Sequence, residues 1–234
     1  MREVIGLWHM VWLEMRSSFL YFFAILFGVV SIGIVYTAIN QSDQVFFQTN
    51  AAVYLYFAII GSYLYRLVLT YGSSFGATRK QLYIGVVASA VVLSVLGAFI
   101  HTVVFLGLEQ LTLWQAEEMN LSHFTAFMAG EQTVLIMFAV DMAMLIMIMS
   151  LGFAASVIHY RFGLVSLIIG GGVIGLSVII PEVREAIWLN VFNIFLVRGI
   201  WEITGAVLAV AVAGFVLPYF LVGRLNLYFN EKSA

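Results

Sequence analysis

The chain has 234 residues, of which 63% are hydrophobic and only 9% charged, and its mean hydropathy is +1.07. A soluble domain of this length cannot hide so much apolar surface, and a net charge of −2 without a long basic cluster gives no nucleic-acid footprint. Cysteine is absent, which excludes disulfides, thiolate metal sites and thiol nucleophiles.

Apolar runs of 18 or more residues are interrupted by only two prolines. Such runs cross a bilayer as helices of about 20 residues, which satisfy their own backbone groups where no water is present. A transmembrane barrel would instead show short alternating segments, and none is visible. The expected fold is an all-α integral membrane bundle forming one transmembrane domain over residues 1–234.

In chain order, residues 1–17 carry charges throughout and no small-residue cleavage site follows the first apolar run, so they do not read as a cleavable signal peptide. Val4, Trp8, Val11, Trp12 and Met15 share one helical face and Arg2, His9 and Arg16 another, the pattern of an interfacial elbow helix. An ordinary basic flank to the first span is the plainer alternative. Six spans are expected at about 18–38, 51–71, 83–108, 133–158, 163–180 and 200–222.

The intervening gaps alternate in charge. Arg2, Arg16, Arg66, Arg79, Lys80, Arg161, Arg224 and Lys232 fall on one side, and only Arg184 and Arg198 on the other, together with most of the acidic residues. Eight basic residues against two orient the chain as a multi-pass protein with both termini in the cytoplasm; a bacterial plasma membrane is the expected location.

Residues 72–82 form a polar, basic island between two long apolar runs. Their sequence places a short helix across the cytoplasmic mouth, with Phe75 and Leu82 facing the membrane or a partner and Arg79 and Lys80 facing an acidic partner. A positive-inside anchor accounts for the same charges. The outer connection 109–132 is acidic and either covers an opening or is solvated. Residues 181–199 are too short to cross and too apolar for a free loop, so a re-entrant or interfacial segment is expected there.

Two polar side chains lie within spans. Asp141 sits about 12 Å from the outer end of span four and His101 about 10 Å from the outer end of span three, at 1.5 Å per residue. Equal depth lets them pair, either as a substrate or proton site or as a structural tie. Gly171 and Gly175 make a G-x-x-x-G pair in span five, and Gly205, Ala209 and Ala213 repeat in span six, as faces for packing within one subunit or for a dimer. Met137, Met142, Met144, Met147 and Met149 enrich span four, as core or lipid-facing residues or as a permissive substrate surface.

The N-terminal elbow, the six spans, the excursion before span six and the stretch Gly76-Ala77-Thr78-Arg79-Lys80-Gln81-Leu82-Tyr83 resemble the permease subunit of the type-2 exporter class of ABC transporters. In that family a G-x-T/S-R element belongs to a coupling helix that docks on the ATPase. The resemblance therefore implies that Phe75, Gly76, Ala77, Thr78, Arg79, Lys80, Gln81 and Leu82 couple this chain to a motor. It also implies two ATPase subunits outside the membrane and a second permease, identical or paralogous, beside this one in the lipid bilayer. No G-x-x-x-x-G-K-[S/T] loop occurs, so ATP and Mg²⁺ would sit on the partner; this chain would bind no cofactor or metal and would itself be no enzyme.

The apolar, Met- and Phe-rich bundle suggests a hydrophobic or amphipathic cargo such as a peptide, toxin or antibiotic, with lipid or polysaccharide as alternatives. Two further classes stand beside this: an intramembrane enzyme using Asp141, His101 and His159, and a non-transporting anchor or immunity subunit. The first lacks a second intramembrane aspartate and any H-E-x-x-H motif.

Overall fold

The computed structural model describes residues 2–40, 45–74, 78–115, 119–127, 133–191 and 198–222. Helix α1 runs Arg2–Asn40, α2 Thr49–Ser74, α3 Arg79–Gln115, α4 Val134–Phe162, α5 Leu164–Ile179 and α7 Ile200–Val222. A helical turn α6 (Pro181–Val183) continues into a π-helical stretch, Arg184–Leu189. Two three-residue strands, β1 (Val45–Phe47) and β2 (Met119–Leu121), pair in parallel with Val45 opposite Met119 and Phe47 opposite Leu121. This ladder joins the α1–α2 and α3–α4 connections; otherwise the fold is helical.

Helices occupy all six positions expected to span. Among the described residues α1, α3, α4 and α7 are each long and apolar enough to cross a membrane, and α5 with its bent continuation makes a fifth. The chain is thus a multi-pass helical membrane protein. Helix α2 packs along α4.

Helix α4 is the centre. It is apolar on every side and packs against α2, α3 and α7, while α1 closes the far side of α2 and α3. Lone glycines set the closest approaches. A methyl group on Gly61 would lie 2.5 Å from the Met149 carbonyl oxygen, and one on Gly152 would lie 2.5 Å from the Ala58 carbonyl oxygen. Gly97 sits against the Phe57 ring and Gly214 against Ser150. Backbones meet at these points because no Cβ intervenes, the usual way helices associate in lipid. Hydroxyls reinforce the contact: Ser62 donates to the Gly152 carbonyl (3.2 Å) and Ser156 to the Ser62 carbonyl (2.6 Å).

Several expectations change here. The elbow and the first span are one helix with no boundary at 17/18. No glycine or proline lies between Gly6 and Gly28, and the buried stripe Val11, Met15, Phe19, Phe23 runs through the expected break. Trp8 and Trp12 stack at 6.1 Å and pack on that core rather than forming a separate amphipathic face.

The 72–82 island is divided between helices. α2 continues to Ser74 and α3 starts at Arg79, while Phe75, Gly76 and Ala77 lie outside the described residues. Thr78 and Gln81 form a reciprocal capping box. The Thr78 N–H donates to Gln81 Oε1 (2.7 Å) and the Gln81 N–H to Thr78 Oγ1 (3.4 Å). Thr78, Arg79, Lys80 and Gln81 are therefore the cap and first turn of a 37-residue helix, and Leu82 belongs to the core.

After α5 the chain bends by 88° into α6 and the π-helical stretch, and Trp188 Nε1 donates back to Ser177 Oγ at 3.0 Å. Pro181, the first residue of the new helix, suits that position because its missing N–H would have had no partner there. Residues 192–197 lie outside the described residues. Arg198 pairs with Glu202 one turn along, at 3.0 Å, on the exposed surface of α7.

Among the described residues, a Cβ built on Gly171 or Gly175 would meet nothing within 4 Å, and no residue of α5 is buried. Gly205, Ala209 and Ala213 likewise face outward on α7, whose buried stripe is Ile200, Ile203, Val207, Ala211 and Phe215. The methionines of α4 belong to the interior: Met137 and Met149 are buried, and Met142, Met144 and Met147 pack against the clusters.

Candidate functional site

Asp141 lies seven residues into α4, about 10 Å from its first turn at 1.5 Å per residue. Its carboxylate is fully buried and receives four donors from three other segments. On Oδ2 it meets His101 Nδ1 of α3 at 2.6 Å and His123 Nε2 at 3.0 Å. On Oδ1 it accepts from Asn50 Nδ2 at 3.0 Å and from the Tyr54 hydroxyl at 3.1 Å, both on α2. A carboxylate in an apolar bundle is costly unless every lone pair is occupied, and this one is saturated.

The surrounding groups are fixed in turn. Thr49 Oγ1, at the first residue of α2, sits 2.9 Å from His101 Nε2. Asn50 Oδ1 accepts from the Phe124 N–H at 3.0 Å, which ties the segment 122–127 down over the site. Within that segment the Thr125 N–H donates to His123 Nδ1 at 3.2 Å and the Thr125 hydroxyl lies 2.9 Å from the same nitrogen. The two imidazoles stack with centroids 5.7 Å apart, and Phe105 meets the His123 ring edge-on.

These contacts favour one tautomer. Because the Thr125 backbone N–H can only donate, it selects an acceptor at His123 Nδ1 and the proton on Nε2, which faces Asp141 Oδ2 at 3.0 Å and, more distantly, Asn50 Nδ2 at 3.4 Å. His101 donates Nδ1–H to the same oxygen. Its Nε2 faces a hydroxyl, which either donates to a bare nitrogen or accepts from a protonated one.

His101, His123 and Asp141 offer three atoms within 4.8 Å of one another, a spacing compatible with a shared metal ion. The detailed geometry assigns them to hydrogen bonding. The His101–Asp141 separation of 2.6 Å is shorter than the roughly 3.3 Å between two tetrahedral ligands at about 2.0–2.1 Å from zinc. His123 also carries its proton on the nitrogen that would have to bind the ion.

The order Thr49 hydroxyl, His101 imidazole, Asp141 carboxylate is that of a nucleophile, base and orienting group. Thr49 is 2% exposed and its oxygen is already in the network, so this conformation presents it to no substrate.

Of the residues singled out in the sequence, the structure brings Asp141 and His101 together. His159 stands 18 residues along α4 from Asp141, about 27 Å at 1.5 Å per residue, on the exposed surface near the helix end. Thr49, Asn50, Tyr54, His123 and Thr125 were not singled out. Four of the five sit at an element start or in a connection, where no apolar periodicity marks which face they take. Of the expected 109–132 connection, residues 109–115 belong to α3, residues 119–127 lie over the carboxylate, and 116–118 and 128–132 lie outside the described residues.

No family model, curated protein or solved structure matches the chain. Membership of a family is thus not established by similarity, and function rests on the geometry and on the resemblance carried by the motifs.

Proposed function

We propose that the chain is the membrane-spanning permease subunit of an ATP-driven exporter of the ABC type-2 class, moving a hydrophobic or amphipathic cargo out of the cytoplasm. The observation that carries this reading is the arrangement around α5. An apolar, glycine-bearing helix stands open along its length and is followed by a right-angled excursion that folds back through Trp188 before the last span. That layout suits a half-transporter whose second permease covers α5 with Gly171 and Gly175 at the contact. The basic start of α3, with Arg79 and Lys80 on a capped and therefore rigid helix end, suits a motor-facing surface.

In this reading both termini are cytoplasmic and the Asp141 cluster lies near the outer face. ATP and Mg²⁺ are held by the partner, whose closure shifts a two-state bundle through contacts at 72–82. A peptide, toxin or antibiotic is the favoured cargo, ahead of lipid or polysaccharide, because the bundle interior is largely apolar.

Affinity purification of the full chain in mild detergent, followed by mass spectrometry, tests the assignment. A phosphate-loop ATPase recovered at about one copy per permease is the expected result. Recovery of the stably folded chain alone would overturn it and move the weight to an anchor or an intramembrane enzyme.

A further inference from the structure

The Asp141 cluster contains two histidines in unlike situations. His123 is held as a neutral donor, because the backbone N–H of Thr125 is a fixed donor to its Nδ1 and would oppose any second proton there. His101 has no such lock. Among the described residues its Nε2 meets only the Thr49 hydroxyl, and an O–H rotor reverses from donor to acceptor with no heavy-atom movement. His101 can therefore gain a proton while keeping both of its hydrogen bonds, and its partner Asp141 is already in contact at 2.6 Å.

We propose that Thr49, His101 and Asp141 form a buried binding site for a single exchangeable proton, carried on His101 Nε2. The proton that arrives forms one N–H bond on Nε2 and converts the Thr49 hydroxyl from donor to acceptor; no other bond changes. The cluster passes from one net negative charge, with both rings neutral, to none. The groups facing it are Asn50 and Tyr54 from α2, Asp141 from α4, and His123 and Thr125 from the covering segment, with Phe105 of α3 on the His123 ring. Among the described residues no lysine or arginine contacts the cluster, so no fixed cation competes for the carboxylate.

Thr49 is the end of the network that adjoins the β1–α2 junction. Gln48 beside it is exposed, and Thr49 opens α2 directly after the β1 strand. A brief opening of the covering segment, which is held to α2 through the Asn50–Phe124 bond, admits the proton from that end of the bundle. In a chain with apolar spans on every side, this is where a proton couples to helix arrangement, because the carboxylate joins α2, α3 and α4. The proposal does not rest on the exporter reading.

Nitrogen-15 spectra of the full chain in lipid nanodiscs, labelled only at histidine, test it. There are four rings, and the exposed His9 and His159 provide internal references. As the pH is lowered over the range in which the fold is retained, His101 is expected to gain one proton while His123 keeps a single proton, on Nε2. Thr49→Ser, which keeps a hydroxyl, retains the His101 transition, and Thr49→Val, which removes it, takes the transition out of that window. A transition on His123, no transition on His101 in the folded protein, or loss of both N–H signals on adding one equivalent of Zn²⁺ at pH 7.5 would each overturn the proposal. Unchanged tryptophan emission across the variants shows that the fold is retained.

Discussion

Replacing Asp141 by Asn tests whether the buried network holds the bundle together. The change keeps size and shape but turns one of the two oxygens into an NH₂ donor. In either amide orientation the remaining oxygen keeps two of the four donors now at 2.6–3.1 Å, and the new NH₂ faces the other two. One hydrogen bond is lost and one donor–donor contact is created in either orientation, because the Tyr54 hydroxyl can turn to accept and His101 can move its proton to Nε2, while the remaining bonds lose a charged acceptor. Side-chain hydrogen bonds between membrane helices average about 0.6 kcal/mol with a maximum of about 1.7, so the lost bond and the opposed donors set a floor of ~1 kcal/mol. Bonds to a charged acceptor are worth about 1.5–3 kcal/mol each, which raises the ceiling to ~6. We expect a loss of ~2–4 kcal/mol, a factor of roughly 30 to 1,000 in the unfolding constant. Reversible denaturant unfolding in bicelles, followed by tryptophan fluorescence, measures it. A cycle with His123→Gln should give a coupling energy of ~1 kcal/mol or more, because both side chains meet at Oδ2. A loss below about 0.5 kcal/mol with no coupling would refute the view of Asp141 as the tie between α2, α3 and α4.

Gly152→Val should cost about 2–4 kcal/mol or prevent folding, because even its Cβ would sit 2.5 Å from the Ala58 carbonyl oxygen; Gly170→Val, in open space, should change stability by less than ~0.5. Thr78→Ala should lower stability by about 1 kcal/mol and fray the first turn of α3, read as faster amide exchange at Arg79–Gln81. If the exporter reading holds, Arg79→Glu weakens ATPase association; full ATPase recovery in that variant would remove the coupling role. Gly171→Leu should leave the fold intact, since nothing lies within 4 Å, while lowering pairing of permease subunits in a crosslinking assay.

Particular residues show how far the sequence could be read. The positions of the six helices were legible because lipid demands long apolar runs whatever their neighbours. The pairing of Asp141 with His101 was legible because two rare polar side chains at equal depth have few alternatives in hydrocarbon. The elbow was misplaced because the Trp8, Val11, Trp12, Met15 face that reads as interfacial is the same stripe that packs on α2 and α3. The Thr78–Lys80 island concealed a plain local reason, a threonine followed three residues later by glutamine before an apolar helix.

The glycines divide along the same line. The conspicuous G-x-x-x-G of α5 faces outward, whereas the isolated Gly61, Gly97, Gly152 and Gly214 carry the helix contacts. Spacing along one helix cannot show which face another helix approaches. His123 and Asn50 likewise reach Asp141 across 18 and 91 residues of sequence, from a connection and a helix start that carry no periodic signal. By itself the sequence determined a multi-pass helical membrane protein with a costly carboxylate in one span, because solvent and backbone impose those features residue by residue. Only the tertiary structure decided that four donors converge on that carboxylate and that His123 joins His101 there, since those facts depend on directions between atoms brought together by packing.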